Sequence, residues 1–214
     1  MASISKDQWP RVGELYLAGL SMRAVAEKMH GSLDAVTYVL RRLGIPRRSF
    51  REANRITFAS KKPSFTVRKS VRVAENELSA MGAMLYWAEG HKTARATGID
   101  FANSDPRMVV LFVKFLRSRY CLDEKRLRVY MYCYANQPTN DLRDYWSTLL
   151  KIPREQFTKP YVRDNPKKGV RQMPYGLVHI RYSDKKLLLD VLNLIESYRS
   201  KYRVGTQVVK GDAL

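Results

Sequence analysis

Residues 81–92, MGAMLYWAEGHK, form an apolar helical run that ends abruptly at Ala88-Glu89-Gly90. Gly82, Ala83 and Ala88 are small enough to let a second helix approach closely, and Gly90 falls where a helix would stop. The stretch is therefore a packing surface to which the surrounding chain has to conform, with one carboxylate, Glu89, at its foot. Two readings stand at this point. One is a buried core helix whose last residue is merely solvated, the other a contact surface with chemistry at its end.

A chain of 214 residues with 45% hydrophobic content can build one large domain or two smaller ones. No apolar run reaches the length of a membrane span, and residues 1–11 lack the basic, apolar and small-residue order of a signal peptide. The expected location is cytoplasmic. Cys121 and Cys133 have no CxxC spacing, so neither a zinc site nor a disulfide framework is indicated, and both are expected to serve as small hydrophobes. The net charge of +19 is the strongest global signal, because such a field concentrates polyanions and speeds their capture. Basic residues are spread along the chain rather than gathered in one tail. Nucleic acid is the partner this charge fits, while no stretch combines a basic and an aromatic helix face suited to a membrane surface.

The first 48 residues read as three short helices. Val12, Leu15 and Tyr16 give a first helix ending near Gly19; Ser21 caps a second with Val25, Ala26 and Met29 on its buried side. Ser32 caps a third with Val36, Leu40 and Leu43, which stops before Gly44-Ile45-Pro46. Residues 20–29 and 32–40 resemble the helix-turn-helix domains of resolvases and small bacterial regulators. Ala26 matches the family's small residue and Val36 its apolar anchor, whereas His30 occupies the place of the usual turn glycine. The resemblance implies a recognition helix presenting Asp34, Thr37, Tyr38 and Arg41 towards DNA, with Arg42, Arg47 and Arg48 at its end for phosphates. The alternative is a solvated helix face beside a basic linker. Residues 49–77 lose periodicity and read as that linker, with one short helix near residues 52–56. Its lysines and arginines either track a phosphate backbone or are simply solvated.

Beyond Gly90, residues 98–101 look like a strand and Asn103-Ser104-Asp105-Pro106 like a helix start. Residues 128–134, RVYMYCY, alternate strictly, with Val129, Met131 and Cys133 on one face and three tyrosines on the other. Those tyrosines either stack on a partner or pack beneath a helix. A helix follows, capped by Thr139 or Asn140 and burying Leu142, Tyr145, Trp146 and Leu149. Residues 157–162 and 177–182 then read as strands around a basic loop, and a last helix starts at Ser183-Asp184. In that loop Arg163, Lys167, Lys168 and Arg171 are candidates for phosphate or groove contact. Residues 204–214 read as a tail. The order implies an α+β chain in which an antiparallel sheet is covered by helices on one face and left free on the other.

Gly82-Ala-Met-Leu-Tyr-Trp-Ala-Glu-Gly90 resembles the LAGLIDADG motif of homing endonucleases, and the strand, the NSDP helix start and the later YG-containing strand resemble that superfamily over residues 78–203. Ala83, Leu85, Ala88 and Gly90 coincide with the motif and Glu89 takes its final acidic position, while Met84 replaces a glycine and Trp87 an aspartate. The resemblance implies a homodimer, because only one copy of the motif is present. Gly82, Ala83, Tyr86 and Ala88 would line the interface, with two Glu89 carboxylates near the twofold axis. It further implies Glu89 as metal ligand and catalytic carboxylate for Mg2+, with Lys92 and Arg181, and Lys167 and Lys168 beside them, neutralising phosphate charge. Three functions follow: a sequence-specific double-stranded DNA-binding protein, an active Mg2+-dependent site-specific endonuclease, and an RNA-binding protein using basic loops beside tyrosine strands. Among the histidines, His30 falls in a turn, His179 in a strand, and only His91 lies near the motif.

Overall fold

The computed structural model describes residues 4–68, 73–165 and 173–201, and the chain divides into two compact units, residues 1–62 and 63–214. In the first unit, α1 (Trp9–Leu17), α2 (Met22–Lys28) and α3 (Leu33–Arg42) enclose a core of Val12, Leu15, Tyr16, Val25, Ala26, Val36, Val39 and Leu40. Ser21 and Ser32 accept hydrogen bonds from the backbones of Ala24 and Ala35, satisfying donors that a helix start otherwise leaves open. The turn between α2 and α3 passes through His30 at φ 51°, the left-handed conformation that glycine adopts most readily.

The stretch expected to be a linker is more ordered than its sequence suggests. It holds α4 (Phe50–Ser60), begun by a capping box in which Ser49 and Glu52 bond reciprocally, and β1 (Phe65–Val67). The two bonds from Ser49 hold the Glu52 carboxyl below its usual range. The short β1 belongs to the second unit, where it pairs antiparallel with β3 (Tyr120–Leu122). Ser64, just before it, donates from its backbone and its hydroxyl to Asp184 Oδ2, while Asp184 Oδ1 receives the Lys186 amide and so caps the last helix.

The second unit is built on a four-stranded sheet ordered β2 (Ile99–Asn103), β6 (Leu177–Tyr182), β4 (Leu127–Tyr134), β5 (Tyr161–Arg163). Its first two pairings are antiparallel, but β5 runs parallel to β4, so the sheet is mixed rather than purely antiparallel. The expected strand over residues 157–162 is shorter and displaced, because Phe157 makes only an isolated bridge to Val129. Phe101, Val129, Met131, Val178 and Ile180 line one face of the sheet and are buried with α5 (Val73–Glu89), α6 (Pro106–Arg119), α7 (Thr139–Leu150) and α8 (Lys185–Lys201). In α7 the residue before the helix is Pro138, without a side-chain cap, and Leu150 rather than Leu149 is buried. Cys133 is buried as expected, whereas Cys121 is exposed. No helix among the described residues is long and apolar enough to cross a membrane.

Helices α5 and α6 pack closely because Gly82 faces Phe115. A Cβ on Gly82 would lie 2.1 Å from Cγ of that ring, where no real contact fits. Gly82→Ala should therefore destabilise the protein by about 1–3 kcal/mol through overpacking. A Phe115→Leu change in the same chain should recover part of that loss, a coupling that denaturant midpoints of the two single variants and the double variant would measure.

Candidate nucleic-acid interface

On α3, Asp34, Tyr38, Arg41 and Arg42 are exposed, as is Arg47 beyond the helix. Arg42 Nε donates to the Tyr38 hydroxyl at 3.0 Å, and the Arg41 and Arg42 guanidinium groups lie 5.8 and 5.3 Å from the Tyr38 ring centre. That hydrogen bond, reinforced by the nearby cations, holds the Tyr38 hydroxyl below its ordinary pKa. Thr37 donates its hydroxyl proton to the Leu33 carbonyl one turn back. Arg48 departs from expectation. Its guanidinium donates to the carbonyls of Leu20 and Tyr16 and stacks 4.0 Å over the Tyr16 ring, and its own amide donates to the Tyr16 hydroxyl. Arg48 therefore ties the segment after α3 back onto α1 and is committed within the unit.

In the second unit, the sheet face opposite the core carries the polar half of each alternating strand. Asp100, Arg181 and Arg128 stand in register across three strands; Ala102, His179 and Tyr130 form the next row, and Tyr132 pairs with Tyr161 beyond it. Asp100 is the electrostatic centre. His179 Nδ1 lies 2.8 Å from its Oδ1, and Arg181 Nε lies 2.8 Å from its Oδ2. Burial opposes ionisation of this carboxyl, but the bond and charge of His179 and the charge of Arg181 outweigh it and hold the group below the usual carboxylate range. Arg181 also sits 4.1 Å over the Tyr130 ring, while Tyr132 contacts both Tyr161 and His179 with ring centres 5.3 and 5.1 Å away. The tyrosines of β4 thus lie on the open face rather than beneath a helix.

Alternation alone reveals Tyr130 and Tyr132. Asp100 and His179 leave no such signal, because only the pairing of β2 with β6 brings them together. Arg163 is exposed at the β5 edge; Lys167, Lys168 and Arg171 lie outside the described residues.

Glu89 is exposed at the C-terminal end of α5. That end abuts the start of β2, through a bridge between Gly90 and Phe101 and a bond from the His91 amide to the Asp100 carbonyl. Gly90 is needed there for space, since a Cβ would meet the Tyr86 ring at 2.5 Å. Lys92 Nζ donates to the carbonyls of Trp87 and Gly90, both at 2.7 Å, and so caps the helix instead of standing free for a phosphate. Arg181 is likewise engaged by Asp100. Among the described residues no group of three or more His, Cys, Asp or Glu could hold a metal ion, and the Asp100 carboxylate is engaged by His179 and Arg181.

The expected dimer contacts also need correction. Gly82, Ala83 and Tyr86 face the unit's own core; Tyr86 stacks on Phe112 at 5.6 Å and donates to the His91 carbonyl, and burial pushes its hydroxyl pKa up to about 12. Only Ala88 of the four is exposed. The open apolar side of α5 is instead Met81, Met84, Leu85 and Ala88, which with Met108 and Leu111 of α6 line a groove of about 510 Å³ edged by Asp105 and Arg107.

No protein-family model matches the sequence, and no curated protein or solved structure is significantly similar to it.

Asp100→Asn should cost roughly 1–3 kcal/mol of stability at pH 7 by leaving Arg181 and His179 without their acceptor charge. A carboxyl with a depressed folded-state pKa contributes stability above its unfolded pKa and loses it as pH falls through the folded value. Urea unfolding should accordingly show the gap between variant and parent at neutral pH and its closure well below about pH 4.

Proposed function

We propose that this chain is a sequence-specific double-stranded DNA-binding protein that uses a homing-endonuclease-like scaffold as a docking surface. The reading rests above all on one observation: a sheet face opposite the core that carries arginine, histidine and tyrosine side chains around the Asp100 carboxylate, in a chain of net charge +19. Such a face offers cations to phosphates and flat rings to sugars and bases, and its rows are spaced by the sheet itself. The first unit adds α3 as a recognition helix, with Asp34, Thr37 and Tyr38 early enough to reach base edges and Arg41, Arg42 and Arg47 placed for phosphates.

Two copies associate in this proposal through the groove of α5 and α6. Exposed methionines there, Met81 at 53% and Met108 at 39%, are costly to leave in water and adaptable in contact. The same scaffold running as a Mg2+-dependent nuclease would need two Glu89 carboxylates brought together by that association. No feature among the described residues favours this over binding alone; the sheet tyrosines also suit stacking of single strands, so competition with single-stranded RNA separates that reading from duplex binding.

Enrichment of bound sites from a random duplex pool at fixed salt should yield one two-fold symmetric sequence, as a dimer of reading heads requires. Single-stranded RNA should compete poorly for it. Incubating the selected duplex with Mg2+ should leave it intact, and Glu89→Gln should bind it as the parent does; cleavage that disappears in this variant would establish the nuclease instead. Met81→Glu, at an exposed position, should shift the protein to monomer in sedimentation and weaken binding to the full site by about 10-fold or more, the order expected when linked binding is lost.

A further inference from the structure

Between the loop after α5 and the first row of the open sheet face lies a cavity of about 300 Å³, lined among others by His91, Arg95, Asp100, Arg128, Tyr130 and Arg181. Its charge is unbalanced. Three guanidinium groups share one carboxylate, and both oxygens of that carboxylate are taken, one by His179 and one by Arg181. Arg128 donates from Nη1 to the carbonyls of Lys125 and Leu127, at 2.6 and 2.8 Å, which orients its fork without neutralising it. Arg95 makes no hydrogen bond or ion pair with any side chain or backbone group among the described residues.

The loop that carries Arg95 is held at several points. The Ala96 amide donates to the Thr93 carbonyl, and Lys185 Nζ donates to the Ala96 carbonyl at 2.7 Å. Gly98 presses against the backbone of β6, where a Cβ would lie 2.3 Å from the Tyr182 carbonyl oxygen. On the other wall Tyr130 carries Arg181 on its face. The result is a preset cationic recess with two guanidinium groups, those of Arg95 and Arg128, lacking a counter-charge among the described residues.

We infer that this recess is a phosphate-binding pocket, in which Arg95 and Arg128 grip the phosphate oxygens while Asp100 keeps Arg181 aligned along the wall. Planar guanidinium forks match the paired oxygens of a phosphate; Arg95 has no described partner, and Arg128 commits only Nη1, to two carbonyls. The inference deepens the DNA-binding reading, on which the source of the phosphate rests: the pocket opens at the first row of the proposed docking face, so a backbone phosphodiester is the expected occupant.

Arg95→Ala and Arg128→Ala, singly and together in the full-length protein, test it on a fixed duplex across a salt series. Arg95→Ala removes no described bond, so its thermal midpoint should match the parent. Removing either guanidinium from its phosphate should weaken binding to that duplex and flatten the plot of log K against log salt by about 0.9. In parallel, inorganic phosphate is titrated into the unbound protein while the Nε resonances of Arg95 and Arg128 are followed. Flattened slopes establish a backbone phosphate. Saturable shifts with unchanged slopes, or with no duplex binding by the parent, keep the pocket but assign it a free phosphate group; in the second case the DNA-binding reading falls. Neither flattening nor saturable shifts, in a parent that binds duplex normally, would overturn the pocket and leave that reading standing.

Discussion

The close contact of Gly82 with Phe115 decides which way α5 faces, and much of the second unit follows from it. With no side chain at position 82, α5 settles onto α6 and turns Ala83 and Tyr86 into the core. Tyr86 then stacks on Phe112, which stacks in turn on Phe101 of β2, so the helix is coupled through three rings to the edge of the sheet. The same rotation turns Met81 and Ala88 outwards and leaves Met84 and Leu85 half-buried along the groove with Met108 and Leu111. Small residues in a helix announce a close neighbour, but here the neighbour at Gly82 is another helix of the same chain.

Features whose cause is local were legible in the sequence. Ser21, Ser32 and the Asp105-Pro106 start all sit where their backbone bonds require them, and the alternation of residues 128–134 sorts buried from open side chains correctly. What was not legible depends on partners distant in sequence. Whether an arginine is free or spent cannot be read from its neighbours: Arg48 is used up by α1 and the α1–α2 turn, Lys92 by the carbonyls ending α5, and Arg181 by an aspartate on a different strand. The parallel pairing of β5 was hidden because a strand of three residues carries no signal of direction. The helix α4 buries no residue and rests on its capping box, so hydrophobic periodicity could not define its length.

Sorting the cations in this way gives the net charge a structure. Arg48, Lys92, Arg117 and Lys185 bind carbonyls or carboxylates and hold the fold together. Arg41, Arg47, Arg95 and Arg128 have no acidic partner among the described residues and remain available to an external polyanion. Asp100 stands between the two groups: it is the only acidic side chain among the described strand residues of the open face, and it serves there as an internal counter-ion that fixes Arg181 and His179 in place. A face made this way is organised in advance, which would lower the ordering cost of the binding proposed for it.

If duplex DNA meets the sheet on its uncovered side, the rings of that face must lose contact with water when the complex forms. Side-chain footprinting by hydroxyl radicals, with and without the selected duplex, reads this at each ring. Tyr130, Tyr132 and Tyr161 should become protected, while Tyr198 on α8 and Trp87 on α5 should keep their reactivity. Bound duplex that leaves the three sheet tyrosines unchanged would rule out docking on this face.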